Sequence, residues 1–123
     1  MNVLVKYGNL QNKEFMTMKL NGAYHMTEAG VEDAGIGHDI KGVYLLSDGE
    51  RSPNNRLFVS YVGYTNNLRQ SLIAKISEPR YKFFWYEEAA TEHEALAKAK
   101  EYFDMYQAVR PVLSNLPKNE SPK

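Results

Sequence analysis

Short apolar stretches alternate with polar residues along the first third of the chain, and this pattern predicts strands joined by turns. Residues 2–7 and 14–20 are two extended segments of this kind, which are expected to form a β-hairpin. After them, Thr27 is a candidate cap for a short helix that ends by Ala34, because glycines follow closely.

The strongest strand signals lie in the middle of the chain. Residues 42–46 and 57–64 are rich in β-branched and aromatic side chains. Residues 47–56 between them contain Asp-Gly, Pro and Asn-Asn, which favour turns. Two neighbouring strands joined by such a segment are expected to pair as an antiparallel hairpin.

A helix is predicted next, from a cap at Thr65 or Asn66 to about Ile76. Its apolar residues fall on one helical face: Leu68, Leu72, Ile73 and Ile76. Residues 81–86 then read as an aromatic strand. Alternation along the run 83–86 would place two rings in the core and two towards a partner or a covering helix, and such rings can stack on nucleic-acid bases.

The last predicted element is a helix that begins with a capping box at Thr91 and Glu94 and runs to about Val109. Pro111 excludes a long continuation. The resulting order of elements, β-β-(short α)-β-β-α-β-α, indicates a mixed α/β or α+β domain. The 123 residues are enough for one hydrophobic core.

The amino-acid composition excludes several classes of protein. With 43% hydrophobic and 12% aromatic residues, the chain is not expected to be disordered throughout. It contains no apolar run near 18 residues and no recognisable signal peptide, so no membrane association is expected. The absence of cysteine excludes disulfides, thiol catalysis and cysteine-based zinc sites, and it suits a cytoplasmic location.

Charge is balanced overall but unevenly distributed. Fifteen basic and fifteen acidic residues give a net charge of zero, which argues against a polycation that coats nucleic acid. Residues 51–82 nevertheless carry six basic side chains against Glu78 alone, a net charge of +5. This block is either a phosphate-facing surface or an ordinary solvated one.

Residues 42–71 carry motifs that resemble those of the GIY-YIG nuclease family. Gly42-Val43-Tyr44 corresponds to the first tripeptide and Tyr61-Val62-Gly63 to the second. The continuation Thr65-Asn66-Asn67-Leu68 and a later aromatic strand followed by a capped helix also match, so the resemblance covers about residues 41–115.

The resemblance implies an α+β fold in which a small antiparallel sheet is flanked by helices. Residues 41–116 would form this domain, residues 1–40 a packed N-terminal extension with the extra hairpin, and residues 117–123 a flexible tail. Members of the family cleave a DNA phosphodiester with one divalent metal ion. The resemblance places Tyr61 near the attacking water, Tyr44 as its hydrogen-bonding partner and Gly63 where the backbone must stay clear.

Two positions depart from the family pattern. Ser71 stands where the family has a phosphate-binding arginine, and Ala99 stands where it has a metal-binding glutamate. A hydroxyl cannot replace a guanidinium on the transition state, and a methyl group cannot bind magnesium. Arg69 and Glu101 lie two residues away, but two helical residues correspond to about 200° of rotation and so to the opposite face.

The sequence therefore predicts a catalytically degenerate GIY-YIG-like domain that binds nucleic acid or a protein partner, with no cofactor. The residues expected to contribute to binding are Asn67, Arg69, Lys75, Arg56 and Arg80. The alternative hypothesis is an active DNA endonuclease that uses displaced residues with Mg²⁺. It rests on four intact residues: Tyr44, Tyr61, Gly63 and Asn67.

Overall fold

A computed structural model describes residues 20–109 of the chain. The elements in order are β1 (Asn21–His25), α1 (Glu28–Ala34), β2 (Gly42–Ser47), β3 (Tyr61–Thr65), α2 (Leu68–Lys75), β4 (Phe83–Glu88) and α3 (Glu92–Val109). The four strands form one antiparallel sheet in the order β1-β4-β2-β3. The predicted α+β class, a small antiparallel sheet flanked by helices, is confirmed.

Strand β2 lies at the centre of the sheet and is buried along its whole length. Because successive strand residues point to opposite faces, its side chains divide between two apolar layers. Tyr44 and Leu46 pack on what we call the tyrosine face, which α1 and α2 cover. Val43 and Leu45 pack on the α3 face, which is covered by α3 and its side chain Tyr102.

Both predicted helix caps outside α2 are present. The Thr27 hydroxyl accepts the N–H of Gly30 at 3.0 Å, and α1 ends at Gly35 in the left-handed region. The Thr91 hydroxyl accepts the N–H of Glu94 at 3.0 Å. The Glu94 carboxylate in turn accepts the N–H of Ala90, one residue earlier than in the predicted capping box.

Three predicted boundaries were wrong. The strand expected over 57–64 is β3 from Tyr61, because Leu57 pairs with Arg51 inside the loop that joins β2 to β3. Helix α2 is capped by Asn67, since Thr65 remains in β3. Strand β4 begins two residues later than expected, after Tyr81 has packed into the core, and ends at Glu88.

Strand β1 was missed. No element was predicted between residue 20 and Thr27, but residues Asn21–His25 pair with β4 at the edge of the sheet. The predicted strand over 2–7 and nearly all of the one over 14–20 lie outside the described residues, as does the tail 117–123. Segment 20–40 therefore contributes β1 to the same sheet as β2, β3 and β4, and its helix α1 packs against β1.

Within residues 20–109, no helix combines the length and the apolar character that a membrane crossing requires.

Glycine at position 30 is required by the close approach of α1 to β1. A Cβ atom on Gly30 would lie 1.9 Å from the carbonyl oxygen of His25. Replacement of a helical glycine by alanine usually stabilises a protein by about 0.5–1 kcal/mol. Here we expect Gly30→Ala to lower the free energy of unfolding in urea by about 1–3 kcal/mol, because the helix must move away from the strand.

Gly37→Ala is the matched control. The nearest atom to a Cβ there is the Ile40 Cγ1 at 3.7 Å, so a change within about 0.5 kcal/mol is expected. A Gly30→Ala protein as stable as the parent would contradict this packing of α1 on β1.

Candidate functional site: a tyrosine pair and a cleft at the end of the sheet

The β2–β3 hairpin brings Tyr44 and Tyr61 together on the tyrosine face. Their ring centroids are 6.2 Å apart and the rings are inclined by 22°. Gly63 pairs with Tyr44 across the hairpin and is buried. The side chains of Tyr44 and Tyr61 are 0% and 7% exposed, so the pair belongs to the core.

Gly42, the first residue of the first tripeptide, is required for sheet packing. A Cβ at this position would lie 2.3 Å from the carbonyl oxygen of Glu87 and 2.7 Å from a methyl carbon of Leu68. The glycine therefore allows β2, β4 and the start of α2 to approach one another.

The cation that reaches the tyrosine pair is Lys75 at the end of α2. Its Nζ lies 4.4 Å from the ring centroid of Tyr61 and 3.4 Å from the Glu78 carboxylate. Tyr81 meets Tyr61 edge-on at 5.8 Å, and the exposed Arg80 places its guanidinium 4.7 Å from the Tyr81 ring centroid. Cation–π contacts thus run from the core to the surface at this end of the sheet.

Ser71 is buried and hydrogen-bonded within the scaffold. Its hydroxyl lies 2.7 Å from the hydroxyl of Thr65 on β3. It sits one helical turn before Lys75, on the same side of α2. The position that the family resemblance assigns to an arginine is therefore filled by a short side chain in a closed environment.

Arg69 and Asn67 hold α2 in place. Arg69 forms an ion pair with Glu32 of α1 at 2.5 Å and lies within 3.4 Å of the Ile36 carbonyl oxygen. Asn67 accepts the N–H of Gln70 at 3.2 Å as the helix cap. Both were expected to contribute to binding, and the structure shows each of them in a contact that supports the fold.

Ala99 lies on the other side of the sheet from the tyrosine pair. It is fully buried on the α3 face against Val43, Leu45 and Val62. Ser71 and Ala99, the two positions that depart from the family pattern, therefore face different layers of the core. A carboxylate at position 99 would be separated from Tyr44 and Tyr61 by the sheet itself.

An open cleft of about 710 Å³ lies at the end of the sheet where three connections meet, those between β1 and α1, β2 and β3, and α2 and β4. It is lined by His25, Met26, Thr27, Asp48, Gly49, Ile76, Pro79, Tyr81, Lys82 and Phe83. Arg51 lies beside it, with its guanidinium 6.0 Å from the Phe83 ring centroid. Arg56 is exposed in the turn of the neighbouring loop.

The charges at this end of the sheet are mixed, with cations in excess. Asp48 and Glu50 follow β2, and the Asp48 carboxylate accepts the N–H of Glu50 at 3.0 Å. Glu78 is beside Lys75. Against these three carboxylates stand five basic side chains: Arg51, Arg56, Lys75, Arg80 and Lys82.

A buried polar cluster on the α3 face was not predicted. The carboxylate of Glu87 on β4 lies 2.7 Å from the Nζ of Lys98 and accepts the hydroxyl of Tyr102 at 2.5 Å. Burial and the Glu87 carboxylate raise the pKa of the Tyr102 phenol far above its usual value of 10. The sequence contained one indication of this cluster: Lys98 lies four residues before Tyr102, and so one turn away on the apolar side of α3.

No group of three histidine, aspartate or glutamate side chains converges within the part of the chain that is described, 20–109.

Comparisons with protein-family models, with curated proteins and with solved structures found no match to this chain.

The Tyr102 hydroxyl stabilises the buried Glu87 carboxylate, so Tyr102→Phe is expected to lower the free energy of unfolding at pH 7. A hydrogen bond to a charged group corresponds to about 1.5–3 kcal/mol. The native state holds the phenolic proton above pH 10, whereas the unfolded chain releases it. The stability of the parent protein should therefore fall with rising pH above about 10, by up to ~1.4 kcal/mol per unit.

Chemical denaturation of both proteins between pH 8 and pH 11 measures this difference. The advantage of the parent over Tyr102→Phe should shrink above pH 10, because the variant has no phenol to titrate. A difference that stays constant up to pH 11 would contradict the buried, neutral Tyr102.

Proposed function

We propose that this protein is a DNA-binding module whose scaffold resembles that of the GIY-YIG nucleases and that it does not cleave DNA. The observation that carries the proposal is the placement of Ser71 and Ala99. Ser71 is a buried partner of Thr65, and Ala99 faces the α3 layer, away from the tyrosine pair. Neither a guanidinium nor a metal-binding carboxylate stands at the positions where the resemblance requires them.

The arrangement of cations supports nucleic acid as the partner. Five basic side chains surround one end of the sheet, and two of them, Lys75 and Arg80, lie over tyrosine rings. Basic groups combined with aromatic faces are the usual elements of a surface that binds nucleic acid.

The chain contains no cysteine, and we place the protein in the cytoplasm.

Binding without cleavage is tested with labelled DNA and with supercoiled plasmid. We expect DNA binding to weaken steeply with salt, and Arg80→Gln to make the slope of log K against log salt about one unit less negative. Lys100→Gln, an exposed site on α3, is the control and should leave the slope unchanged. With Mg²⁺ or Mn²⁺, plasmid nicking by the parent and by Tyr61→Phe should equal the background.

Two outcomes would contradict the proposal. Metal-dependent nicking that disappears in Tyr61→Phe would support the alternative, an active endonuclease that uses displaced residues. The absence of any DNA binding at low salt would instead favour a protein partner.

Restoration of the family residues should destabilise the protein and yield no nuclease. Ala99→Glu would bury a carboxylate among apolar side chains, and we expect it to lower the free energy of unfolding by at least ~3 kcal/mol. Ser71→Arg would force a guanidinium into the contact with Thr65. Ala97→Glu, an exposed position on the same helix, is the control and should change stability by less than about 0.5 kcal/mol.

Urea denaturation and the plasmid assay are applied to the double variant Ser71→Arg/Ala99→Glu. A double variant that keeps the parent stability and nicks DNA with Mg²⁺ would overturn the assignment of these residues to different layers of the core.

A further inference from the structure

The cleft at the end of the sheet is a site distinct from the tyrosine pair. Its walls come from the segment after β1, the segment after β2, the end of α2 and the start of β4. Tyr81 belongs both to the wall of the cleft and to the ring contact with Tyr61, so the two sites share one side chain. The volume of about 710 Å³ falls within the range of pockets for small organic ligands.

Aromatic rings form part of this wall. Alternation along β4 places Phe84 and Tyr86 in the core and leaves Phe83 half-buried at the cleft. The exposed imidazole of His25 lies beside Phe83, with ring centroids 5.1 Å apart and an inclination of 38°. The two rings are inclined to each other and together form an aromatic part of the wall, with which another flat ring can pack.

Cations border the aromatic surface. Arg51 approaches Phe83 from the loop after β2, and Arg80 lies over Tyr81. The exposed Lys82 also lines the cleft, and its ammonium donates to the Pro79 carbonyl oxygen at 3.1 Å. Asp48 also lines the cleft and offers a carboxylate to N–H or hydroxyl donors. These groups match the chemistry of a nucleotide: aromatic rings suit its base, cations suit its phosphate, and a carboxylate accepts hydrogen bonds from its N–H groups.

An unpaired base fits this arrangement better than a base pair. In a duplex the faces of the bases are covered by their neighbours, and a protein reaches only their edges in the grooves. A base released from the stack exposes its face to aromatic side chains, and stacking of this kind tolerates any sequence.

We propose, on the basis of the DNA-binding function above, that the cleft binds an unpaired base of single-stranded DNA. The base stacks on Phe83 and His25. Arg51, Arg80 and Lys82 hold the adjoining phosphates, and Asp48 accepts a hydrogen bond from the base. The protein therefore prefers single-stranded DNA to duplex DNA.

Fluorescence anisotropy with a labelled 12-nucleotide mixed-sequence strand and with its duplex tests the proposal at one salt concentration. The parent should bind the single strand more tightly than the duplex. Phe83→Leu keeps an apolar side chain but removes the planar face, and it should weaken single-strand binding about fivefold or more. Phe103→Leu, the same change at a half-buried position of α3, should leave binding unchanged.

A second pair of variants changes exposed side chains and so leaves the core packing intact. Lys82 is exposed, and Lys82→Gln should weaken single-strand binding and reduce its salt slope by about 0.7. Lys100→Gln should change neither the affinity nor the slope. Equal or tighter binding of the duplex, or full affinity in Phe83→Leu and Lys82→Gln, would overturn the assignment of the cleft while leaving DNA binding intact. The absence of binding to both DNA probes would overturn the proposed function and this inference together.

Discussion

The alternation of side chains along β2 determines how the rest of the molecule is arranged. This strand is buried on both faces, so Tyr44 and Leu46 must belong to one apolar layer and Val43 and Leu45 to the other. Helices α1 and α2 cover the first layer, and α3 covers the second. Any functional group on α3 that points into the sheet is therefore separated from the tyrosine pair by the thickness of the sheet.

The same division places Ser71 and Ala99 on opposite sides of the sheet. The two tyrosines lie together, and Gly42 allows the close strand approach, so the residues that build the hairpin keep their structural role. Ser71 makes a buried hydroxyl contact with Thr65, and Ala99 packs among the apolar side chains of the α3 face. At the end of the sheet, Asp48 and the exposed Lys82 line an open cleft.

Features that depend only on residues close together in the chain were predicted from the sequence. The caps at Thr27 and Thr91, the strand at 42–46 and the alternation of the aromatic run 83–86 followed from spacing and side-chain chemistry. Strand β1 was not predictable in this way, since five short polar and aromatic residues become a strand only through pairing with β4. The contact between Glu87 and Lys98 and the convergence of three connections at the cleft also depend on tertiary structure, which no local pattern encodes.

The most direct test of the account is a titration of the ¹⁵N-labelled protein with single-stranded DNA, followed by amide chemical shifts. We predict that the shifts change for residues 25–27, 48–51 and 80–83, while the amides of 65–71 and of the buried strand β2 stay unchanged. Changes centred on 65–71 with the end of the sheet unaffected would place the DNA at the start of α2 and contradict it.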